Sequence, residues 1–316
     1  MRCLVLGGSG FLGSHLVESL AAAGHAVVSF DRSAAAVHSP LTSLPDNPPG
    51  TIETFNGDFL SKDDLTRALE GVEICYHLVS TTIASTSNAD PMFDVGSNVM
   101  GSLRLLDFAV AAGIKRMVFA SSGGTVYGIP RAVPITEDHP THPISSYGIT
   151  KLTIEKYLHL YNVLHGLDYV ALRLANPYGE RQKLVAQQGA IAVFLGRALR
   201  GEEIEIWGDG EAVRDFVYVG DVIDALVAAA EPLKTNERVL NIGSGCGYSL
   251  NRILDAIEAA TGRPTRRRYA PGRVFDVPVN VLDISAAGRS LGWSPRVSLE
   301  AGLRRFSDWI ENSGKL

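Results

Sequence analysis

The chain is poor in the features that would carry it out of a reducing, aqueous compartment. It has three cysteines in 316 residues, Cys3, Cys75 and Cys246. They are odd in number and far apart, and two lie in apolar strand-like runs, which excludes a disulfide scaffold or a cysteine-built zinc site. No uninterrupted run of about 18 apolar residues occurs, so no membrane span is expected. Met1 to Gly13 carries an arginine and an apolar stretch, but Gly7, Gly8 and Gly10 break it and no small-residue cleavage site follows, so no secretory leader is expected. Positive charge is scarce as well. Twenty-nine basic residues against 34 acidic ones leave a net charge of −5, the wrong sign for a protein that holds nucleic acid through its phosphates. The eight histidines show no metal-ligand spacing backed by carboxylates, so no metal is expected. Internal repeats and low-complexity tracts are also missing. What remains is 46% hydrophobic and 20% charged residues, enough for a large core in a soluble, cytoplasmic protein of one or two lobes.

The first half alternates strand and helix signals. Arg2 to Leu6 is a short apolar run ending in a glycine loop, and Leu12, Leu16, Val17 and Leu20 then recur at helical spacing up to Gly24. Ala26 to Phe30 is the next strand, closing on Asp31. A Ser- and Pro-rich loop from Ser39 to Gly50 follows, then a strand at Thr51 to Phe55. Ser61 with Asp64 reads as an N-cap with an acidic third position, opening a helix that runs to Gly71. Ile74 to Val79, Met117 to Ala120 and Tyr169 to Leu174 are further strands, separated by helical patterns over Met92 to Ala112 and Ser146 to His165. This rhythm predicts an α/β fold, a Rossmann-type doubly wound parallel sheet covered on both faces. After Asn176 it changes: a helix through Ile191 and Leu199, a strand Glu203 to Trp207, helices over Asp221 to Ala230 and Ser249 to Ala260, and an amphipathic tail helix. The expected division is a dinucleotide lobe of 1–175 plus about 215–242, and a smaller α/β substrate lobe of 176–214 and 243–316.

Gly7, Gly10 and Gly13 form GxxGxxG between a predicted strand and helix, with Phe11 and Leu12 opening the helix. Glycine serves there because the chain turns sharply and its backbone must approach a pyrophosphate, which the helix N-terminus then meets with free N–H groups. A glycine pattern alone is weak. Asp31 strengthens it, ending the next strand about 20 residues on, where a carboxylate accepts both ribose hydroxyls and repels a 2′-phosphate. That favours NAD over NADP, while the adjacent Arg32 pulls the other way. Asp58, with Phe59 beside it, follows Asn56-Gly57 at a strand end and reads equally as an adenine contact or a turn aspartate.

Tyr147 and Lys151 stand at i and i+4, on one face of a helix. A phenol of pKa about 10 is a poor base near neutrality, and a nearby ammonium favours the phenolate. Alone, the pair is common surface decoration; after a nucleotide-binding pattern it is informative.

Taken together, these motifs resemble the extended short-chain dehydrogenase/reductases, in particular the nucleotide-sugar epimerase/dehydratase group. The matching segments are Gly7 to Gly13, Tyr76-His77-Leu78, Asn98 with Gly101, Ser121-Ser122 with Thr125-Val126-Tyr127-Gly128, and Tyr147 to Lys151. They continue through Arg173, Asn176-Pro177-Tyr178-Gly179, Gly208-Asp209-Gly210, Arg214 to Val219, Asp221 and Leu291-Gly292-Trp293. The resemblance implies that the three glycines hold the NAD pyrophosphate, Asp31 the ribose and Asp58 the adenine. Leu78 would lie along the dinucleotide and Asn98 would shape its site. Tyr147 would be the catalytic base and Lys151 would bind the nicotinamide ribose and tune the tyrosine. Asn176 would meet the sugar-nucleotide diphosphate, Trp207 would lie near the nucleoside base, and Arg214 and Arg273 would clamp the two phosphoryl groups, as guanidinium forks can. Each has a plain structural alternative: surface ion pairs with Asp215 and Asp276 for the arginines, core packing for Trp207, a turn cap for Asn176, a solvated position for Asn98. His77 is read as a hydrogen-bonded structural histidine.

One loop departs from the pattern. Many epimerases carry a hydroxyl directly after the paired serines, whereas this chain has Gly123 in Ser121-Ser122-Gly123-Gly124-Thr125. Thr125, Ser122 or a water is left to supply that hydrogen bond. The loop also lacks the acidic pair of 4,6-dehydratases, and Leu78 to Thr82 lacks the usual pair of alanines. The expected activity is nucleotide-sugar 4-epimerisation with NAD, with UDP-glucose and UDP-galactose as the default UDP-hexose pair; a dehydratase, a reductase or a non-catalytic nucleotide sensor are the rivals. By the same resemblance the helices over 92–112 and 146–165 would build a homodimer.

Overall fold

Strand alternation decides which face each side chain joins. In the computed structural model, which describes residues 1–32, 48–185, 189–272 and 277–314, the first strand β1 (Arg2–Leu6) sends Cys3 and Val5 into one core cluster and Leu4 and Leu6 into another. All four are fully buried, as expected of a central parallel strand with helices on both sides. The following elements are α1 (Phe11–Ala22), β2 (Ala26–Asp31), β3 (Thr51–Asn56), α2 (Lys62–Ala68) and β4 (Ile74–His77). A 3₁₀ turn at Ser87–Ala89 leads into α3 (Pro91–Asp94), a π-helical turn at Val95–Val99 and α4 (Met100–Ala111). Then come β5 (Arg116–Ser122), α5 (Ser146–His165) and β6 (Asp168–Leu174). The helical pattern expected over Met92 to Ala112 is therefore one long helix interrupted by a π turn, a local widening that the hydrophobic spacing does not betray.

The second half holds β7 (Asn176–Tyr178), α6 (Ala190–Arg200), β8 (Glu203–Trp207), β9 (Val213–Tyr218), α7 (Val219–Ala228) and β10 (Val239–Ile242). It closes with β11 (Gly247–Ser249), α8 (Leu250–Thr261), β12 (Arg266–Ala270), β13 (Val279–Asn280), α9 (Ser285–Leu291) and α10 (Leu299–Ser313). The main sheet has seven strands in the order β3-β2-β1-β4-β5-β6-β10, and every neighbouring pair is parallel. It is the doubly wound sheet the alternating pattern predicts. Around β9 a second sheet gathers β7, β11 and β13, and β8 pairs with β12 in a third. The expected Ser61 cap is present, with its side chain accepting from the Asp64 N–H at 3.3 Å. Most of the Ser- and Pro-rich loop of 39–50, together with Arg273 and Asp276, lies outside the described residues.

Candidate active site

Strand order reverses between β1 and β4, and in open parallel sheets ligands bind at the carboxyl ends of the strands at such a point. There the chain leaves β1 through Gly7, whose φ of +86° is the left-handed region. The Gly7 and Gly8 N–H groups both donate to the Phe30 carbonyl, at 2.9 and 3.1 Å, which pins the loop to the end of β2. A Cβ on Gly13 would press into the Gly7 carbonyl oxygen, so the helix can start this close to the strand only with glycine there. Helix α1 begins after Gly10 with no side-chain cap and no acidic residue in its first turn. Its first internal bond runs from Ser14 N–H to the Gly10 carbonyl, leaving the N–H groups of Phe11, Leu12 and Gly13 without intrahelical acceptors. Asp31 closes β2, its carboxylate accepting from the Ser9 N–H at 3.1 Å and the Arg32 N–H at 2.8 Å. The Ser9 hydroxyl beside it is buried without a partner. An open helix N-terminus, a side-chain-free cradle, an adjacent carboxylate and an orphaned hydroxyl together fit a dinucleotide.

Neighbouring segments complete this edge. The Gly57 N–H donates to the Asp31 carbonyl at 3.0 Å, bringing Asp58 beside the end of β2, while the Asp58 carboxylate accepts from its own turn at the Leu60 N–H. Phe59's ring is buried against His77, 5.2 Å between centroids, so only its main chain belongs to the Asp58 turn. The Leu78 N–H donates to the Leu6 carbonyl, placing Leu78 next to the glycine loop. Asn98 is buried in the π turn, not solvated. It accepts from the Thr81 N–H at 3.0 Å and donates to the Thr81 hydroxyl at 2.9 Å and to Asp94 at 2.8 Å, so it shapes the segment after β4. His77 is structural as expected: its Nε2 meets the Ser102 hydroxyl at 2.8 Å, and burial holds its pKa down at about 3.

Helix α5 carries the tyrosine and lysine. Ser145 caps it, accepting from the Gly148 N–H. The next N–H groups, of Ser146 and Tyr147, donate to Asn88 Oδ1 at 2.8 Å and the Ser87 hydroxyl at 3.0 Å. Two of the helix's orphan donors are thus satisfied from nearly 60 residues away. Lys151 is buried, donates from Nζ to the Ala120 carbonyl at 2.8 Å, and lies 4.8 Å from the Phe119 ring centre and 5.6 Å from that of Tyr147. Burial lowers its pKa to about 8, opposed by the charges of Asp94 and Glu155. Burial and then Asp94 push the Tyr147 phenol up to about 12. In the protein alone the phenol is therefore held above its ordinary value, by desolvation first and Asp94 second.

Two residues compete for the role left vacant at Gly123. Thr125 Oγ1 is buried and unpartnered, whereas Ser122 is half-buried. Position 123 is tight: a Cβ there would lie 2.5 Å from Leu282 Cδ1 and 3.0 Å from the Arg173 carbonyl, so a side chain would have to displace Leu282. Farther out, Asn176 donates from Nδ2 to the Asp215 carbonyl at 2.8 Å, which joins β7 to β9. Arg214 stands in register with Tyr248 and Asn280 on its two neighbouring strands, one Nη1 bond going to the Val213 carbonyl. Trp207 is 42% exposed at the end of β8, so its indole is surface and not core. Its Nε1 donates to Glu205 at 2.8 Å. Arg273, the other expected clamp, lies outside the described residues.

Sequence reasoning missed the supporting carboxylates. Glu155 pairs bidentately with Arg173 at 2.7 and 3.0 Å and accepts from the Ser121 hydroxyl at 2.5 Å. Arg173 then donates to the Tyr127 hydroxyl, which donates to Asn241, so Ser121, Tyr127 and Arg173 are scaffold. Carrying the i, i+4 rule one turn past Lys151 would have found Glu155. Asp215 does not serve Arg214 as an ion-pair alternative would have it: it accepts from Ser244 and from the N–H groups of Gly245 and Leu282. Asp221 accepts from the N–H groups of Arg296 and Val297, and the Trp293 indole donates to its carbonyl.

The model of the NAD dependent epimerase/dehydratase family matches residues 3–243. A UDP-glucose 4-epimerase from Mycolicibacterium smegmatis is 37% identical over 317 residues, covering 100% of both chains. The UDP-glucose 4-epimerase of Thermotoga maritima, solved with UDP-glucose, superposes with a TM-score of 0.90 at 37% identity over 99% of each chain. That of Thermus thermophilus, solved with NAD, gives 0.87 at 33% identity, over 99% of this chain and 100% of the other. The chain belongs to the NAD-dependent epimerase/dehydratase family and stands within it among the nucleotide-sugar epimerases of the extended short-chain dehydrogenase/reductase type, enzymes that use NAD.

Proposed function

We propose that the protein interconverts the 4-epimers of a UDP-hexose, with UDP-glucose and UDP-galactose as the pair, through a transient 4-keto sugar. The observation that supports this reading is the Tyr147–Lys151 pair on one helix face, with Lys151 bonded to Ala120 near the carboxyl end of β5. That is the same edge of the parallel sheet at which β1 leads into the glycine loop and β2 ends on Asp31. NAD, held by the glycine loop and Asp31, would supply the reversible hydride acceptor for carbon 4. Tyr147 takes the 4-hydroxyl proton. Lys151, held on the Ala120 carbonyl, contributes the positive charge that favours the phenolate. Asp31 holds the adenosine ribose, with Asp58 and Leu78 along the dinucleotide and Asn98 fixing the segment after β4. Thr125 replaces the hydroxyl missing at Gly123. Asn176 and Arg214 hold the diphosphate with Arg273, and the exposed Trp207 lies near the uracil. Two guanidinium contacts keep the nucleotide anchored while the neutral ketone turns, because charge-assisted bonds are the stronger ones.

The lobes follow the roles, a cofactor lobe of 1–175 plus about 215–242 and a substrate lobe of 176–214 and 243–316. No helix among the described residues is long and apolar enough to cross a membrane, and a cytoplasmic location suits the buried Cys3 and Cys75. A homodimer would cover the exposed Phe93, Met100, Ile149, Leu160, Val163 and Leu164 on the long helix pair. The test is a panel of UDP- and dTDP-sugars, with products identified by NMR. Conversion of UDP-glucose to UDP-galactose without added reductant is expected. Loss of water from a dTDP-sugar, or stoichiometric consumption of reduced cofactor, would replace the epimerase reading by a dehydratase or a reductase.

A further inference from the structure

Asp94 is fully buried and nothing in the reaction described above uses it. A buried carboxylate is costly unless donors or cations surround it. Its Oδ1 accepts from the Thr82 hydroxyl at 2.7 Å and from Asn98 Nδ2 at 2.8 Å, and its Oδ2 from the Ser146 hydroxyl at 2.6 Å. Those three donors belong to three different segments: the stretch after β4, the π turn, and the first turn of α5, one residue before Tyr147. Among the described residues no lysine or arginine forms an ion pair with it. Its charge is instead felt at longer range, by Lys151 and by Tyr147.

We propose that Asp94 is a positioning residue that ties the segment after β4 to the start of α5 and sets a fixed negative charge beside the Tyr147–Lys151 couple, moving the whole pH window of turnover upward. The proposal rests on Tyr147 being the proton acceptor. The direction follows from electrostatics. A nearby negative charge disfavours the phenolate and favours the ammonium, so both protons are held to higher pH. Glu155 acts on Lys151 in the same sense, and the Lys151 ammonium is the positive group facing the tyrosine ring. Both charges remain when Asp94 is neutralised.

Asp94→Asn removes the charge and keeps side-chain atoms that can bond to Thr82, Asn98 and Ser146. In the NAD-bound protein, both limbs of the kcat–pH profile are expected to slide to lower pH by about one unit, the scale of a nearby charge, with KM little changed. The tyrosinate absorbance difference between Asp94→Asn and Asp94→Asn/Tyr147→Phe, set against the same difference in the parent, should show the same downward shift without any turnover. It therefore stands even if the sugar assignment fails. Ser146→Ala removes one tie and leaves the charge; its limbs are expected to stay in place while thermal stability falls. Limbs that stay put in Asp94→Asn, or that move equally in Ser146→Ala, would overturn the proposal. If Asp94→Asn does not fold, Asp94→Ser gives the same reading; failure of both while Ser146→Ala folds would make Asp94 purely structural and also overturn it.

Discussion

The cofactor edge and the sugar edge of this site are built by different means. At the cofactor edge the backbone does the shaping: a left-handed Gly7, two N–H bonds onto the Phe30 carbonyl, and a helix start pressed against the loop at Gly13. Side chains add Asp31 at the loop itself and Asn98 behind the segment after β4. At the sugar edge the loop after β5 is shaped by side chains from far along the chain. Leu282 fills the space over Gly123, Asn280 Nδ2 donates to the Gly123 carbonyl at 3.2 Å, and the Leu282 N–H reaches Asp215 at 3.3 Å. Both edges leave polar atoms over, Ser9 Oγ at the first and Thr125 Oγ1 and Asn280 Oδ1 at the second, all buried and unpartnered. Native interiors rarely leave such atoms without a reason. The contrast is between a backbone-encoded cradle at the glycine loop and a loop after β5 adjusted by long-range side-chain contacts.

On the proposed reading Tyr147 moves a proton and anchors neither ligand, so its substitution should give the largest effect and spare both edges. Tyr147→Phe is expected to lower turnover by about 10²- to 10⁴-fold, the usual worth of a general acid–base group, while NAD retention and UDP-sugar affinity stay near the parent values. Fluorescence of bound cofactor and a calorimetric titration with UDP-sugar would measure the two. Near-parental turnover would remove the tyrosine from the chemistry; loss of binding would mean the two edges are not separable.

A smaller effect should sharpen the sugar edge alone. Thr125→Val is expected to lower kcat by about 5- to 10-fold, the rate equivalent of roughly one net hydrogen bond, and to leave NAD affinity untouched. Adding Gly123→Ser should not restore it, because Leu282 occupies the space the new side chain needs. A silent Thr125→Val beside a crippled Ser122→Ala, in steady-state assays, would move the role to Ser122.

The same contrast explains how much could be read from the sequence. The glycine spacing, Asp31, the Tyr147–Lys151 pair and helix α5 from Ser146 to His165 are local patterns, and the parallel sheet follows from the alternation of strands and helices. The π turn was not legible, because a single widened turn leaves the hydrophobic spacing nearly unchanged. Nor was the role of Asp94, whose three partners Thr82, Asn98 and Ser146 are scattered over 65 positions of the chain. The capping of Tyr147 by Ser87 escaped for the same reason. Long-range side-chain contacts have no period, so they leave no trace in a single sequence. Glu155 is the exception: it was within reach of helical spacing and simply lay one turn beyond the motif.

The central claim is that one sealed site removes hydride from carbon 4 and returns it to the same carbon. A UDP-glucose deuterated at carbon 4 tests this most directly. The account predicts UDP-galactose that keeps the label at carbon 4, with none entering an added pool of NAD. Label found at carbon 6, or washed into free cofactor, would contradict it.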